Sequence, residues 1–239
     1  MKHIPVVFEN DEILVVNKPA GVPVQGGKGI SHSLDKELSR QFGYKIHLVH
    51  RLDKETCGLM VVAKNPAAAA KWIRLISSKK VRKEYVAVCF GEPRPDGKKT
   101  CSGIISSNVK KSERELPAET AFSVVESFSL PYPDWESDGA GGELMFSRVH
   151  LVLGTGRMHQ IRIHLASVGA PVCGDDKHGD FKLNKRARKA FGIKNLLLCS
   201  KKLTIDAEGV QKSFEIELPD YFSVESGKNQ LLDKEVGCV

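Results

Sequence analysis

The 239-residue chain contains no apolar run near the roughly 20 residues a membrane-spanning helix needs. Its opening, Met1-Lys2-His3-Ile4-Pro5, has no apolar stretch of the signal-peptide kind. Cytoplasmic placement and no membrane partner are the expectation. The six cysteines, at 57, 89, 101, 173, 199 and 238, form no C-x-x-C pair. Several lie inside apolar stretches and read as reduced core residues rather than a disulfide framework. Gly26-Gly27-Lys28-Gly29-Ile30-Ser31 lacks the spacing of a phosphate-binding P-loop, which removes nucleotide hydrolysis. No internal repeat and no low-complexity tract is present.

What is present in excess is localised positive charge. The formal net charge is +7, yet residues 71–83 carry six basic side chains and no acid, and residues 182–202 carry eight and no acid. Outside those windows 22 basic residues face 29 acidic ones. Two solvated helix faces would be the plainer explanation; a footprint for a polyanion is the sharper one.

The stretch around which the chain is organised is His50-Arg51-Leu52-Asp53-Lys54-Glu55-Thr56-Cys57-Gly58, followed by an apolar strand over 59–63. A carboxylate so close to Leu52 and this strand is expected to be partly desolvated, which is costly without a cation or donors. A lone Asp in a turn ordinarily serves as a cap, here through the Thr56 or Gly58 amides.

Around it, residues 6–8 and 13–16 flank Glu9-Asn10-Asp11-Glu12 as a hairpin, and Asn17-Lys18-Pro19-Ala20-Gly21 forms a turn. Ser31 or Ser33 caps a helix with Leu34, Leu38 and Phe42 on one face, ended by Gly43. Asn65-Pro66 starts a second helix through about residue 78. Residues 81–91 form a strand carrying Lys83-x-Tyr85, a pattern that alone means an edge-strand tyrosine. Residues 92–118 are polar and turn-rich without an assignable element; 120–128 reads as a strand, and 131–142, with Trp135, as an exposed loop.

A strand over 146–153 turns through Gly154-Thr155-Gly156 into Arg157-Met158-His159-Gln160-Ile161-Arg162-Ile163-His164, a helix ended by Gly169, with Arg162 placed to project from its rim. His159 and His164 are five apart, off the i, i+4 zinc spacing; no metal and no organic cofactor is expected. Residues 182–191 form a basic helix, a hairpin runs from 196–200 to 213–218, and 224–239 reads as a poorly ordered tail. The pattern of hairpins argues for an α+β fold with a mixed, mostly antiparallel central sheet and flanking helices.

Four of these segments resemble the RluA-type pseudouridine synthases: the opening 9–21, the His-Arg-Leu-Asp stretch, Lys83-x-Tyr85, and Gly156-Arg157-Met158-His159-Gln160-Ile161-Arg162-Ile163-His164. Gly174-Asp175-Asp176-Lys177-His178-Gly179 resembles the loop that follows in that family. Cys57 and His178 stand where the family usually has Ser and Tyr. Met60 takes the place of Leu, and Leu198-Cys199-Ser200 that of Leu-His-Ala.

The resemblance implies a pseudouridine synthase fold over residues 1–223, without room ahead of it for the S4-type RNA-binding module. It implies isomerisation of uridine to pseudouridine in RNA. Asp53 would be the catalytic carboxylate, Arg162 its ion-pair partner, and Tyr85 the residue stacked on uracil near C5. His50, Arg51, Lys83, Arg157, His159, Gln160 and Leu198 would meet RNA, Arg51 as a wedge where the uridine is extruded. The 24–29 turn and Gly179-Asp180-Phe181 resemble the large-subunit ribosomal branch, so rRNA is the expected substrate, tRNA the second choice, and a monomer the expected state. A non-catalytic RNA-binding protein has no use for an Asp–Arg pair, and a two-carboxylate hydrolase lacks its second acid in these motifs.

Overall fold

Asn65 accepts a hydrogen bond from Ala68 N at 2.8 Å, and Pro66 supplies a pre-set first turn, which starts helix α2 (Pro66–Ser77) at its predicted place. The computed structural model describes residues 3–27, 29, 31–111, 114–133, 141–207 and 210–224. It contains strands β1 (Val6–Glu9), β2 (Ile13–Lys18), β3 (His47–Leu48), β4 (Cys57–Ala63), β5 (Val81–Phe90), β6 (Ser102–Lys111), β7 (Arg114–Tyr132), β8 (Gly142–Leu153), β9 (Leu198–Ala207) and β10 (Val210–Glu215). The other helices are α1 (Leu34–Phe42), α3 (Gln160–Ser167) and α4 (Phe181–Phe191). This is the α+β class, with mixed, mostly antiparallel strand pairing. Among the described residues no helix is long and apolar enough to cross a membrane.

The chain divides into two compact units: Met1–Tyr85 with Cys199–Glu217, and Val86–Leu198 with Leu218–Val239. In the first, the strand order is β1-β2-β4-β9, with β3 on β4 and β10 on β9. β2 meets β4 antiparallel over six residue pairs, whereas β4 meets β9 parallel, Cys57 opposite Cys199 and Gly58 opposite Ser200. Every residue of β4 is buried, as expected for a strand covered on both faces. Ile13, Val15, Leu59, Val61, Ala63, Leu203 and Ile205 form a core with Ala68, Ala69 and Trp72 of α2. α1 begins at Ser33 and ends on Gly43 in the left-handed conformation, but the Ser33 hydroxyl bonds Asp35 rather than capping the helix.

In the second unit the order β8-β7-β6 is built on two long antiparallel ladders. Residues 102–111 and 114–118, left without an element by their polarity, are strand. The pattern is hidden because one face is wet: Ile105 and Val109 are buried while Ile104 is 66% exposed. β7 also continues through Tyr132 into the segment expected to be a loop, pairing with Gly142; Trp135 lies outside the described residues. So does the expected C-terminal tail apart from Val224. Phe146 centres an aromatic cluster with Phe90, Phe128 and Phe191, ring centroids 5.5–5.6 Å away. The loop after α3 and the helix α4, capped by Asp180 on Leu183 N, complete this unit.

Candidate active site

Asp53 stands half-buried in the loop between β3 and β4, beside exposed Arg51 and buried Leu52. The loop is anchored from below by Lys18, whose side chain is fully buried. Its ammonium donates to the carbonyls of Pro19 (2.9 Å), Val22 (2.8 Å) and Lys54 (2.9 Å), and Gly21 N also donates to Lys54 O. The Asn17-Lys18-Pro19-Ala20-Gly21 turn and the Asp53 loop are therefore one constructed object. Burial pulls the Lys18 ammonium down to about 8, partly opposed by the negative potential of Cys57, Glu55 and Asp53.

The end of the loop is fixed by Gly58, at φ +107°, where a Cβ would come within 2.4 Å of Ser200 O. No other residue lets β9 run so close. Between β9 and β3, where β4 has lost a strand partner, His50 Nε2 accepts the Val61 N–H at 3.0 Å. Burial, then the positive Lys83, holds the His50 imidazole neutral, at about 3. One nitrogen of this expected RNA contact is thus committed to the sheet. Lys83 is half-buried and pushed down by burial.

Tyr85 is 5% exposed; burial drives its phenol well above the tyrosine range, and the nearby Asp53 carboxylate adds to the rise. Ser200 lies beside the phenol and opposes the shift, but its Oγ makes no hydrogen bond of normal geometry. Tyr85 is thus not the edge-strand tyrosine of a chance Lys-x-Tyr. Cys57 and Cys199 are buried against each other across the parallel pair, and the Cys199 thiol is raised first by its hydrogen bond with Cys57, then by burial.

In the second unit, Gln160 is 2% exposed. Its Oε1 accepts from Thr155 Oγ1 and Arg157 N, and its Nε2 donates to Glu119 O and Thr120 Oγ1. In the structure the side chain of this expected RNA contact ties the turn before α3 to β7. His159 takes a left-handed backbone, φ +55°, and its Nδ1 lies 2.9 Å from His178 Nε2. Arg157 is exposed, and Leu198 is 3% exposed at the start of β9.

Arg162 does not project from a rim: it is 6% exposed and forks onto Asp175, Nε to Oδ2 at 2.7 Å and Nη2 to Oδ1 at 2.6 Å. Burial would raise the Asp175 carboxyl, but Arg162 and the amides of His178 and Lys177 outweigh it and hold it below the usual range. Asn184 of α4 closes the same loop, accepting from Gly174 N and donating to Asp175 O. Neither Asp175 nor Lys18 was singled out from the sequence. Asp175 carried a signal, since its loop resembles a family segment; Lys18 looked like any turn lysine.

The RNA pseudouridylate synthase family matches residues 12–167, a span that contains Asp53, Tyr85 and Arg162. The chain belongs to that family. Membership makes it an RNA pseudouridine synthase, an isomerase. It is 34% identical over 221 residues to the ribosomal large subunit pseudouridine synthase C of Rickettsia bellii (strain RML369-C), covering 91% of this chain and 69% of that protein. It is 30% identical over 224 residues to the protein of the same name from Escherichia coli (strain K12), covering 90% and 66%. Among solved structures, human RNA pseudouridylate synthase domain containing 4 superposes with a TM-score of 0.69 at 25% identity, covering 92% of this chain and 91% of that one. Human RNA pseudouridylate synthase domain containing 1 gives 0.66 at 25% identity, covering 91% and 84%.

Proposed function

We propose that this synthase isomerises one or a few uridines of large-subunit ribosomal RNA, with Asp53 as the acting carboxylate. The observation that carries the substrate is the identity of 30–34% over some nine-tenths of the chain to proteins named ribosomal large subunit pseudouridine synthase C. The reaction breaks the C1′–N1 bond of uridine, turns the uracil, joins C1′ to C5, and releases the C5 proton while N1 gains one. A carboxylate beside the sugar serves as nucleophile or assists the departing base. Asp53 stands on a loop that Lys18 and Gly58 hold from both ends, which is the preorganisation such a step needs.

Tyr85, with its phenol kept protonated by burial, offers uracil a ring face and no competing negative charge. Arg51, exposed beside the acid, takes the place vacated by the extruded base. Arg162 and Asp175 act as a rigid pair that fixes α3 to the 174–179 loop. Residues 1–223 serve as the catalytic domain, working as a monomer in the cytoplasm and needing no cofactor.

Chemical mapping of pseudouridines in the rRNA and tRNA of a strain lacking the gene tests the substrate. Loss of large-subunit sites, restored by the wild-type gene, is the expected result. An intact rRNA pattern with a missing tRNA site would leave the enzyme class standing and remove the ribosomal assignment.

A further inference from the structure

Helix α4 presents two faces of different kinds. Ala187 is buried and Phe191 packs edge-on against Phe146, so the inward side is accounted for. At 100° per residue, Phe181, Lys185 and Arg188 line up on the outer side, with Lys189 and Lys182 next to them. Every one of these five is exposed, and Phe181 is 82% exposed. A phenylalanine so placed contributes little to the core, and a monomer gains nothing from leaving it in water.

The surroundings of Phe181 extend the patch. His178, three residues earlier, bonds His159, whose neighbours are exposed Arg157 and Met158, the latter 58% exposed. Two large apolar side chains thus sit on adjoining segments among cations. The acids nearby, Asp176 and the capping Asp180, lie at the N-terminal end of α4. Lys177 and Lys182 offset those two acids, so the net positive charge that attracts a phosphate chain lies toward Lys185, Arg188 and Lys189, about 6 Å and more along the axis.

We infer that the outer face of α4 binds an unpaired segment of RNA, one base stacked on the Phe181 ring and the following phosphates on Lys185, Arg188 and Lys189. A paired base hides its faces in the stack; an unpaired base offers a face to an aromatic, and every base has one. The surface therefore distinguishes looped RNA from duplex without reading sequence. It rests on the function proposed above only in taking the substrate to be a folded RNA with unpaired segments.

The test uses the full chain with two probes, an oligouridylate of about 12 nucleotides, within the range of single-strand sites, and a blunt RNA duplex of similar length. F181A weakens oligouridylate binding about 5- to 100-fold and leaves duplex binding unchanged; F181W, which keeps a ring, retains the affinity. K185Q/R188Q/K189Q flattens the slope of log affinity against log salt by about 2 for the single strand. Unchanged oligouridylate affinity in F181A, equal loss on duplex, the same loss in F181W, or an unchanged slope in the triple variant would overturn the inference. If the wild-type chain fails to modify large-subunit rRNA while F181A still loses oligouridylate affinity, the ribosomal assignment falls and this surface stands. Modification of that rRNA by a chain whose F181A variant binds normally gives the reverse.

Discussion

Lys18 Nζ donates to the carbonyl of Lys54 at 2.9 Å, which ties a fully buried ammonium to the residue following the Asp53 carboxylate. The two lysines are 36 positions apart, and only the fold makes them partners. Without the ammonium, the Pro19, Val22 and Lys54 carbonyls lose their shared donor at a cost of about 1–3 kcal/mol for each buried group left unsatisfied.

The stability difference between wild type and Lys18→Met is expected to depend on pH. Lys18 titrates at about 8 when folded, against an ordinary 10.5. Between these values the unfolded chain binds the proton and the folded chain does not, so wild type gains stability relative to the variant as pH rises through 8. The gain is about 2 kcal/mol between pH 7 and pH 9.5, at about 1.4 kcal/mol per unit of pH between the two titrations. Urea unfolding of both proteins at pH 7 and pH 9.5 measures it; a difference that stays flat contradicts the buried, depressed ammonium.

Asp53→Asn is expected to lower isomerisation by at least about 100-fold while fold and RNA affinity persist. Tritium release from RNA labelled at uridine C5 reads the chemistry, and filter binding reads the affinity. Turnover within a few-fold of wild type would remove Asp53 from the reaction.

Asp175→Ala removes the carboxylate onto which the buried Arg162 guanidinium forks, and is expected to cost about 3–5 kcal/mol. Replacing both partners together, Arg162→Met with Asp175→Leu, recovers much of that loss in stability because the two charges of the fork leave together. Denaturant unfolding of the two single variants and the double variant completes the cycle. Simple additivity would show that the fork carries no coupling.

Gly58→Ala places a methyl against the Ser200 backbone at 2.4 Å, with φ at +107°. A loss of about 1–3 kcal/mol from backbone strain alone is expected, with the steric clash in addition. Thermal unfolding checks it, and a variant as stable as wild type would mean that β9 moves away freely.

Much of this was readable in the amino-acid order where local rules act. The apolar run of β4, the Asn65-Pro66 start of α2 and the Gly43 end of α1 are each decided within a few residues. The motif residues were placed on the right elements for the same reason. β6 and the beginning of β7 were hidden because their ladder is long range and their outer faces are rich in Ser, Glu and Lys. Burial of Arg162 escaped notice because helical spacing places a residue on a stripe without saying what lies over it; Asp175, 13 positions later, does. Gln160 reads from the sequence as a polar residue offered to a ligand; its side-chain bonds to Thr155, Arg157, Glu119 and Thr120 join segments far apart in the chain, which local spacing does not reveal.

The parallel pairing of Cys57 with Cys199 also orders events in time. Residues 57 and 199 are 142 positions apart, so during synthesis β4 and the Asp53 loop emerge long before the strand that flanks them. Loop closure over such a span is slow, and nonlocal parallel pairing is a late step in folding. The antiparallel β6-β7-β8 ladders are complete in the chain by Leu153, well ahead of β9. The Asp53 loop is therefore among the last parts to complete its set of native neighbours. A nascent chain stalled before residue 198 holds the acid but lacks the strand that fixes Gly58, and is expected to be inactive while already carrying its β6-β7-β8 ladders.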